Sequence, residues 1–278
     1  MQWMLQGGNM VRDLIYQLQI IVNTEGIDET NSTIARVILE NMDKNMENIS
    51  ITELADLCFT SISTMSRFVK KLGYASFNEF KLKCIEKRKL DSEILVDNEF
   101  NLRFGSRDDK ALVTGLAKSI GESLMNFAEK LDLEELDQLI RMIHETKEVN
   151  LFGFHLSGYF IQNLQYHLFL AGKFASYACL EGDQEKLAEM SAANSLSIIF
   201  SVDGNFLRNK SEVFFTLKKN GGKIVLVTQN PALKMANQCD YVYYLGDYKG
   251  ATEGRYKLQL YTEILINRYC QKYGQIKK

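Results

Sequence analysis

Beyond about residue 110 the sequence alternates short apolar runs with longer helix-like segments, and this alternation constrains the fold more than any other feature. The runs are VNLFGF (149–154), KFASYA (173–178), LSIIFSV (196–202), KIVLVT (223–228) and YVYYL (241–245). Helix-like segments separate them at 157–171, 184–191, 207–220 and 231–238, and 255–272 closes the chain. Two more helical stretches, 110–130 and 133–146, precede the first run. Short runs that are apolar throughout suit strands buried on both faces, and a helix between each pair lets successive strands lie parallel. The expectation is an α/β domain with a parallel sheet covered on both faces.

The first hundred residues read differently, as helices only. Val11, Leu14, Ile15, Leu18 and Val22 recur at helical spacing, and so do Ile34, Val37, Ile38 and Met42. Ser50 with Glu53 three residues on forms a capping box at the head of a third helix, whose Leu54 and Leu57 are expected to face inward. Ser61 caps a fourth, with Met65, Phe68, Val69 and Leu72 on its apolar face and Gly73 at its end. Residues 91–108 lose the pattern. The expected organisation is therefore an all-α domain over 1–88, a connection over 89–109 and an α/β domain over 110–278.

At 278 residues, 46% apolar and 24% charged, the chain suits two ordinary globular domains. No apolar run is long enough to span a membrane, and MQWMLQGGNM lacks the marks of a signal peptide, so a cytoplasmic location is expected. Cys58, Cys84, Cys179, Cys239 and Cys270 are odd in number and form no CxxC pair, which favours free thiols over disulfides or a zinc site. Neither a metal nor a cofactor is expected: there is no Walker loop, HExxH or GxSxG, and LFGFHLSG lacks GxGxxG spacing.

A net charge of −2 means that any nucleic-acid partner must be met by a local basic patch. One exists between Ser61 and Lys89, where eight Lys/Arg stand against two acids. Within it, SITELADLCFTSISTMSRFVKKLG (50–73) has the layout of a helix-turn-helix: a helix over 51–57, a turn of about four residues, and a capped second helix over 62–72. Burial of Met65, Phe68 and Leu72 turns Ser63, Thr64, Ser66, Arg67, Lys70 and Lys71 outward or sideways. Small hydroxyl residues let such a helix sit deep in the major groove, Arg67 can reach a guanine or a phosphate, and the lysines can hold phosphates. With Ser61 at the cap, these are the candidate DNA-binding residues.

The stretch TIARVILENMDKNMENISITELADLCFTSISTMSRFVKKLGYASFNEFKLKC resembles the N-terminal domain of the RpiR/MurR family of bacterial transcriptional regulators. The most specific piece is Ser61-x-x-Thr64-x-x-Arg67-Phe68-x-x-Lys71-Leu72-Gly73, followed by Phe77 and Phe80-Lys81. The resemblance implies operator DNA as partner and a homodimer or a dimer of dimers. The βα pattern is similar to the sugar isomerase (SIS) domain that usually accompanies this helix-turn-helix. That implies an α/β/α sandwich with a five-stranded parallel sheet, and a small carbohydrate-derived effector at the C-terminal ends of its strands.

In SIS domains a phosphosugar's phosphate rests in two loops, G-x-G-x-S after the first strand and S-x-S-G-x-[ST] after the third. This chain keeps Gly153, Ser157, Ser201 and Gly204, but His155 replaces the second glycine, Asp203 the middle serine and Phe206 the last hydroxyl residue. The candidate effector residues by this resemblance are His155, Ser157, Ser201, Asp203, Gly204, Asn205 and Thr228. Asp203 would repel a phosphate, and a pair between His155 and Asp203 would fill the anion subsite from within. No catalytic residue is assigned. The alternatives left open are a SIS domain kept only for assembly, and an isomerase drawing on His144, His155, His167, Glu181, Glu189 or Glu253; His167 and Tyr166 are expected to pack within their helix.

Overall fold

The computed structural model describes residues 14–27, 29–42, 46–96, 109–248 and 251–274. Contacts divide the chain into one unit over Met1–Arg107 and another over Asp108–Lys278.

In the first unit, helix α1 covers 14–24 and is followed by α2 (Thr30–Asn41), α3 (Ile51–Leu57), α4 (Ile62–Lys71) and α5 (Phe77–Val96). One apolar cluster joins them, with Leu14, Leu18, Ile34, Ile38, Leu54, Met65, Phe68 and Phe80 buried. Local chemistry fixes the helix starts. Ser50 Oγ accepts from the Glu53 amide and the Glu53 carboxylate accepts from the Ser50 amide, so the expected capping box is complete. Hydrogen bonds from the Ser50 amide and the Ser50 side chain hold the Glu53 carboxyl below its usual range. Leu57 departs from expectation, being 48% exposed. The seven-residue α3 turns Leu54 and Ala55 inward, and Cys58 just after it, which carries Leu57 round to the outer side. Helix α5 runs on to Val96, so the connection expected over 89–109 begins as helix; Val11 and residues 97–108 lie outside the described residues.

The second unit opens with two helices, α6 (Asp109–Lys130) and α7 (Leu133–Glu145), and then alternates β and α: β1 (Val149–Phe152), α8 (Leu156–Leu170), β2 (Ser176–Tyr177), α9 (Glu181–Met190), β3 (Leu196–Phe200), α10 (Asn205–Asn209), α11 (Ser211–Asn220), β4 (Lys223–Thr228), a 3-10 turn (Lys234–Gln238), β5 (Tyr241–Tyr244) and α12 (Ala251–Tyr273). The five strands form one parallel sheet in the order β2-β1-β3-β4-β5, the expected α/β/α sandwich. Successive strand residues serve opposite faces. Leu151, Ile198 and Val225 pack with α6, α7, α8 and α12, while Phe152, Ile199 and Leu226 pack with α9, α10, α11 and the 3-10 turn. Two expected segments are shorter or broken. Only Ser176 and Tyr177 of the 173–178 run pair with β1, and the helix expected over 207–220 is interrupted at Lys210, whose φ of −122° and ψ of 43° are not helical.

Helix α8 carries large apolar residues on its outer side as well as its inner side. Ile161, Leu164 and Leu168 face the core, whereas Tyr159, Tyr166, Phe169 and Leu170 are each more than half exposed. Tyr166, expected to pack, therefore points outward. Across the same layer, Asp137 of α7 accepts from Arg268 Nε at 2.9 Å and Arg268 Nη2 at 2.7 Å, with Lys272 Nζ also 2.7 Å away. Those two cations hold the Asp137 carboxyl down to about 2 and tie α7 to the last turns of α12.

Candidate functional site

In the helical unit the residues of interest gather at the start of α4. Ser61 Oγ accepts from the Thr64 amide at 3.1 Å, and it also lies 2.8 Å from Ser63 Oγ and 2.9 Å from Thr64 Oγ1. Arg67, one turn on, donates to Thr64 Oγ1 at 3.3 Å. Three hydroxyls and a guanidinium thus form one polar surface at the helix N-terminus. Met65, Phe68 and Val69 anchor the opposite face in the core. Lys70 is exposed on the last turn. Lys71 is exposed too, but its ammonium pairs with Glu25, just beyond the end of α1, at 3.1 Å. Two apolar residues missed by the sequence reading flank this surface. Ile62 is 48% exposed, and Phe59, in the turn, is 96% exposed with a positive φ of 51°.

In the α/β unit, parallel pairing of β1 with β3 sets the loops after these strands side by side, with Phe152 opposite Ile199. The approach is close at Gly153. A Cβ there would meet Ile161 Cδ1 at 2.7 Å and the Phe200 carbonyl oxygen at 3.0 Å, so only glycine fits. The fully buried Gln184 clamps the same peptide, its Nε2 donating to the Gly153 carbonyl at 2.7 Å and its Oε1 accepting from the Gly153 amide at 3.3 Å.

His155, where the pattern has glycine, adopts φ 56° and ψ −130°. This is the conformation of the first central residue of a type II′ turn, one that glycine dominates and that strains a residue with a Cβ. The loop thus has a glycine-like geometry at a residue that is not glycine. Its ring lies against Phe154 at 4.8 Å, and Ser157 is half-buried in the first turn of α8.

The loop after β3 is held from several sides. Ser201 Oγ is buried and accepts from the Phe206 amide, starting α10. Gly204 takes a left-handed φ of 82° under Leu233, whose Cδ1 would sit 2.6 Å from a Cβ. The Asp203 carboxylate accepts from Gln229 Nε2 at 3.1 Å, and its carbonyl accepts from Arg208 Nη2 and Asn230 Nδ2. Arg208 also engages the Asn205 side-chain oxygen. Thr228 is fully buried, donating to the Val202 carbonyl and accepting from the Asn230 amide, which makes it a tie between loops. Phe206 is buried against Phe152 and Phe154 and belongs to the core. Of the candidates, His155, Ser157, Asp203 and Asn205 remain partly accessible, whereas Ser201, Gly204 and Thr228 shape the loops.

Gln184, Arg208 and Gln229 were missed because nothing in a local motif marks a residue that acts on a loop 26 to 31 positions away or on its own turn. The possible acid–base groups do not converge. His144 precedes β1, toward the N-terminal ends of the strands, and stacks on Tyr273 at 3.7 Å. His167 bonds to the Asn163 carbonyl of its own helix, and Glu253 accepts from Ser123. Among the described residues no group of His, Cys, Asp and Glu has the arrangement of a metal site.

Residues 15–89 match the helix-turn-helix domain of the rpiR family. The N-terminal unit is an rpiR-family helix-turn-helix domain. An HTH-type transcriptional regulator of Haemophilus influenzae is 22% identical over 233 residues, covering 83% of this chain and 79% of the relative. One from Providencia stuartii is 23% identical over 215 residues, covering 75% and 73%. Among solved structures, the Vibrio vulnificus NanR protein complexed with ManNAc-6P gives a TM-score of 0.51 at 19% identity, over 94% of this chain and 92% of that one. The sugar isomerase domain of an RpiR transcription factor from Sphaerobacter thermophilus gives 0.51 at 16% identity, over 58% and 91%. The chain thus joins an rpiR-family helix-turn-helix to a unit with the SIS fold.

The strain at His155 can be isolated by comparing two variants that both lack the ring. Elsewhere glycine is generally less stable than alanine, but here His155→Gly is expected to exceed His155→Ala by about 1 kcal/mol in urea unfolding. Equal stability would show that the backbone carries no strain.

Proposed function

We propose that this chain is a DNA-binding transcriptional regulator whose SIS unit pairs two copies and senses a small carbohydrate-derived effector, without turning it over. The observation that carries the DNA-binding part is the capped α4, with Ser61, Ser63, Thr64, Arg67 and Lys70 displayed at or beyond its outer face. In such motifs the N-terminal residues of the second helix meet base edges while basic groups hold phosphates. Lys70 is the cleaner phosphate ligand, because Lys71 must first leave Glu25. A regulatory role is supported by the helix-turn-helix and by the scattered His and Glu side chains. No helix among the described residues is long and apolar enough to cross a membrane, which is compatible with a cytoplasmic regulator.

Arg67→Ala is expected to weaken binding to a duplex enriched from a random pool by about 1–3 kcal/mol, with less effect on arbitrary sequence. Lys70→Ala should weaken both and reduce the salt slope by about one. Affinities for both duplexes over a salt series test this, and wild-type behaviour in both variants would remove α4 from the interface.

Two-fold pairing is supported by α8. Large apolar residues stand on its outer side as well as its inner side, yet Tyr159, Tyr166, Phe169 and Leu170 are left exposed by its own chain. A second copy, required to hold paired half-sites, would cover the outer face. Residues 110–278 alone are therefore expected to scatter light as a dimer at micromolar concentration, and Tyr166→Glu with Phe169→Glu to scatter as a monomer. A monomeric wild-type fragment would contradict the reading.

The effector follows from the loop after β3. The NanR relative is complexed with a sugar phosphate, but here Asp203 places a carboxylate where the SIS pattern has a hydroxyl, and Gln229 fixes it there. Two like unit charges about 4 Å apart repel by roughly 4 kcal/mol at an effective dielectric near 20, more than one lost hydroxyl contact. The effector is then neutral or cationic at this end. In calorimetry the wild type should bind sugar phosphates weakly or not at all, and Asp203→Ser should gain affinity. Tight wild-type binding would overturn the assignment.

A further inference from the structure

A cavity of about 750 Å³, whose lining contains no residue of the loops after β1 and β3, lies at the β5 side of the sheet. It is bounded by the end of α6, the start of α7, the loop after β4, and the end of β5 with the loop that follows. Its volume falls in the range of small-molecule sites, which are concave, mostly apolar and furnished with a few polar groups.

Two features define what the cavity can take. The first is aromatic lining: Phe127, Tyr243, Tyr244, Tyr248 and Tyr261 all contribute. Tyr244 and Tyr248 are about half exposed, whereas Tyr243 and Tyr261 are buried in the wall. The Tyr261 hydroxyl has no hydrogen-bond partner among the described residues.

The second feature is charge. One lysine, Lys130, stands against Asp132, Glu135 and Asp247. Lys130 is already paired with Asp247 at 2.9 Å, and Asp132 caps α7 by accepting from the Glu134 and Glu135 amides. Glu135 is exposed, and among the described residues its carboxylate has neither a hydrogen bond nor an ion pair. Its charge reaches Tyr243 and Tyr261 and adds to burial in pushing both phenols up, that of Tyr243 to about 12. An unpaired carboxylate beside aromatic faces favours a cation, which gains from both.

We propose that this cavity binds a small organic cation, a protonated or quaternary amine on a hydroxylated body, with Glu135 as the counter-charge and Tyr244 and Tyr248 as aromatic walls. The site is separate from the loop site in its residues and in the ligand charge it selects. It does touch the loop site at one point: Gln229 lines the cavity and also holds the Asp203 carboxylate. The inference does not depend on the DNA-binding reading, because its readout is ligand binding to the full chain.

The experiment titrates the full chain with protonated glucosamine and with choline, using glucose as the neutral control, by thermal shift and calorimetry. At least one amine should raise Tm saturably while glucose does not. Glu135→Gln should weaken that amine at least tenfold with no change in the unliganded Tm, Tyr244→Ala should also weaken it, and Asp203→Ser should leave it unchanged. The proposal is overturned if neither amine binds, if glucose binds as well as glucosamine, or if binding survives Glu135→Gln. It is also overturned if Asp203→Ser alone removes binding, since the amine would then occupy the loop site. Binding of Glu135→Gln to duplex DNA without ligand, at wild-type strength, keeps this result distinct from any failure of the regulator reading.

Discussion

The pairing of β3 with β1 on one side and β4 on the other is the constraint on which the α/β unit depends. Every residue of β3 is buried, so its register is fixed by two parallel neighbours and two apolar layers at once. That register decides which loops meet. The turn after β1 is pressed against the end of β3 so closely that Gly153 cannot carry a side chain, and the loop after β3 is stitched to β4 through Thr228 and Gln229. His155, Asp203 and Phe206 are all accommodated within this frame.

Each of the three is absorbed in a different way. Phe206 has turned inward and joined the aromatic cluster with Phe152 and Phe154, so it adds core and no longer offers a ligand group. Asp203 is held at both ends: Gln229 Nε2 donates to its carboxylate, and Arg208 Nη2 donates to its backbone carbonyl. His155 keeps a backbone conformation that suits glycine.

The sequence made the helix starts, the strand order of appearance and the sheet type legible, because each rests on local patterns. Ser50 with Glu53, and Ser61 with Thr64, act within four residues, and KIVLVT is a strand over all six of its residues. What could not be read rests on distance. Gln184 reaches back to Gly153, Lys71 pairs with Glu25 across the helical unit, and the cavity draws residues from α6, α7, β5 and α12. Leu57 and Tyr166 were misplaced for a related reason: apolar character at helical spacing shows that a face is sticky, not which neighbour covers it.

Helix α8 carries that last point into the behaviour of the whole molecule. Its inner side is satisfied by Ile161, Leu164 and Leu168, but its outer side leaves large rings and a leucine in water. Any surface that covers those groups binds the folded chain and not the unfolded one, so its free energy adds to that of folding by mass action. With a second copy as the proposed cover, the melting temperature of this unit would rise with protein concentration, and dilution would act as a denaturing variable in its own right.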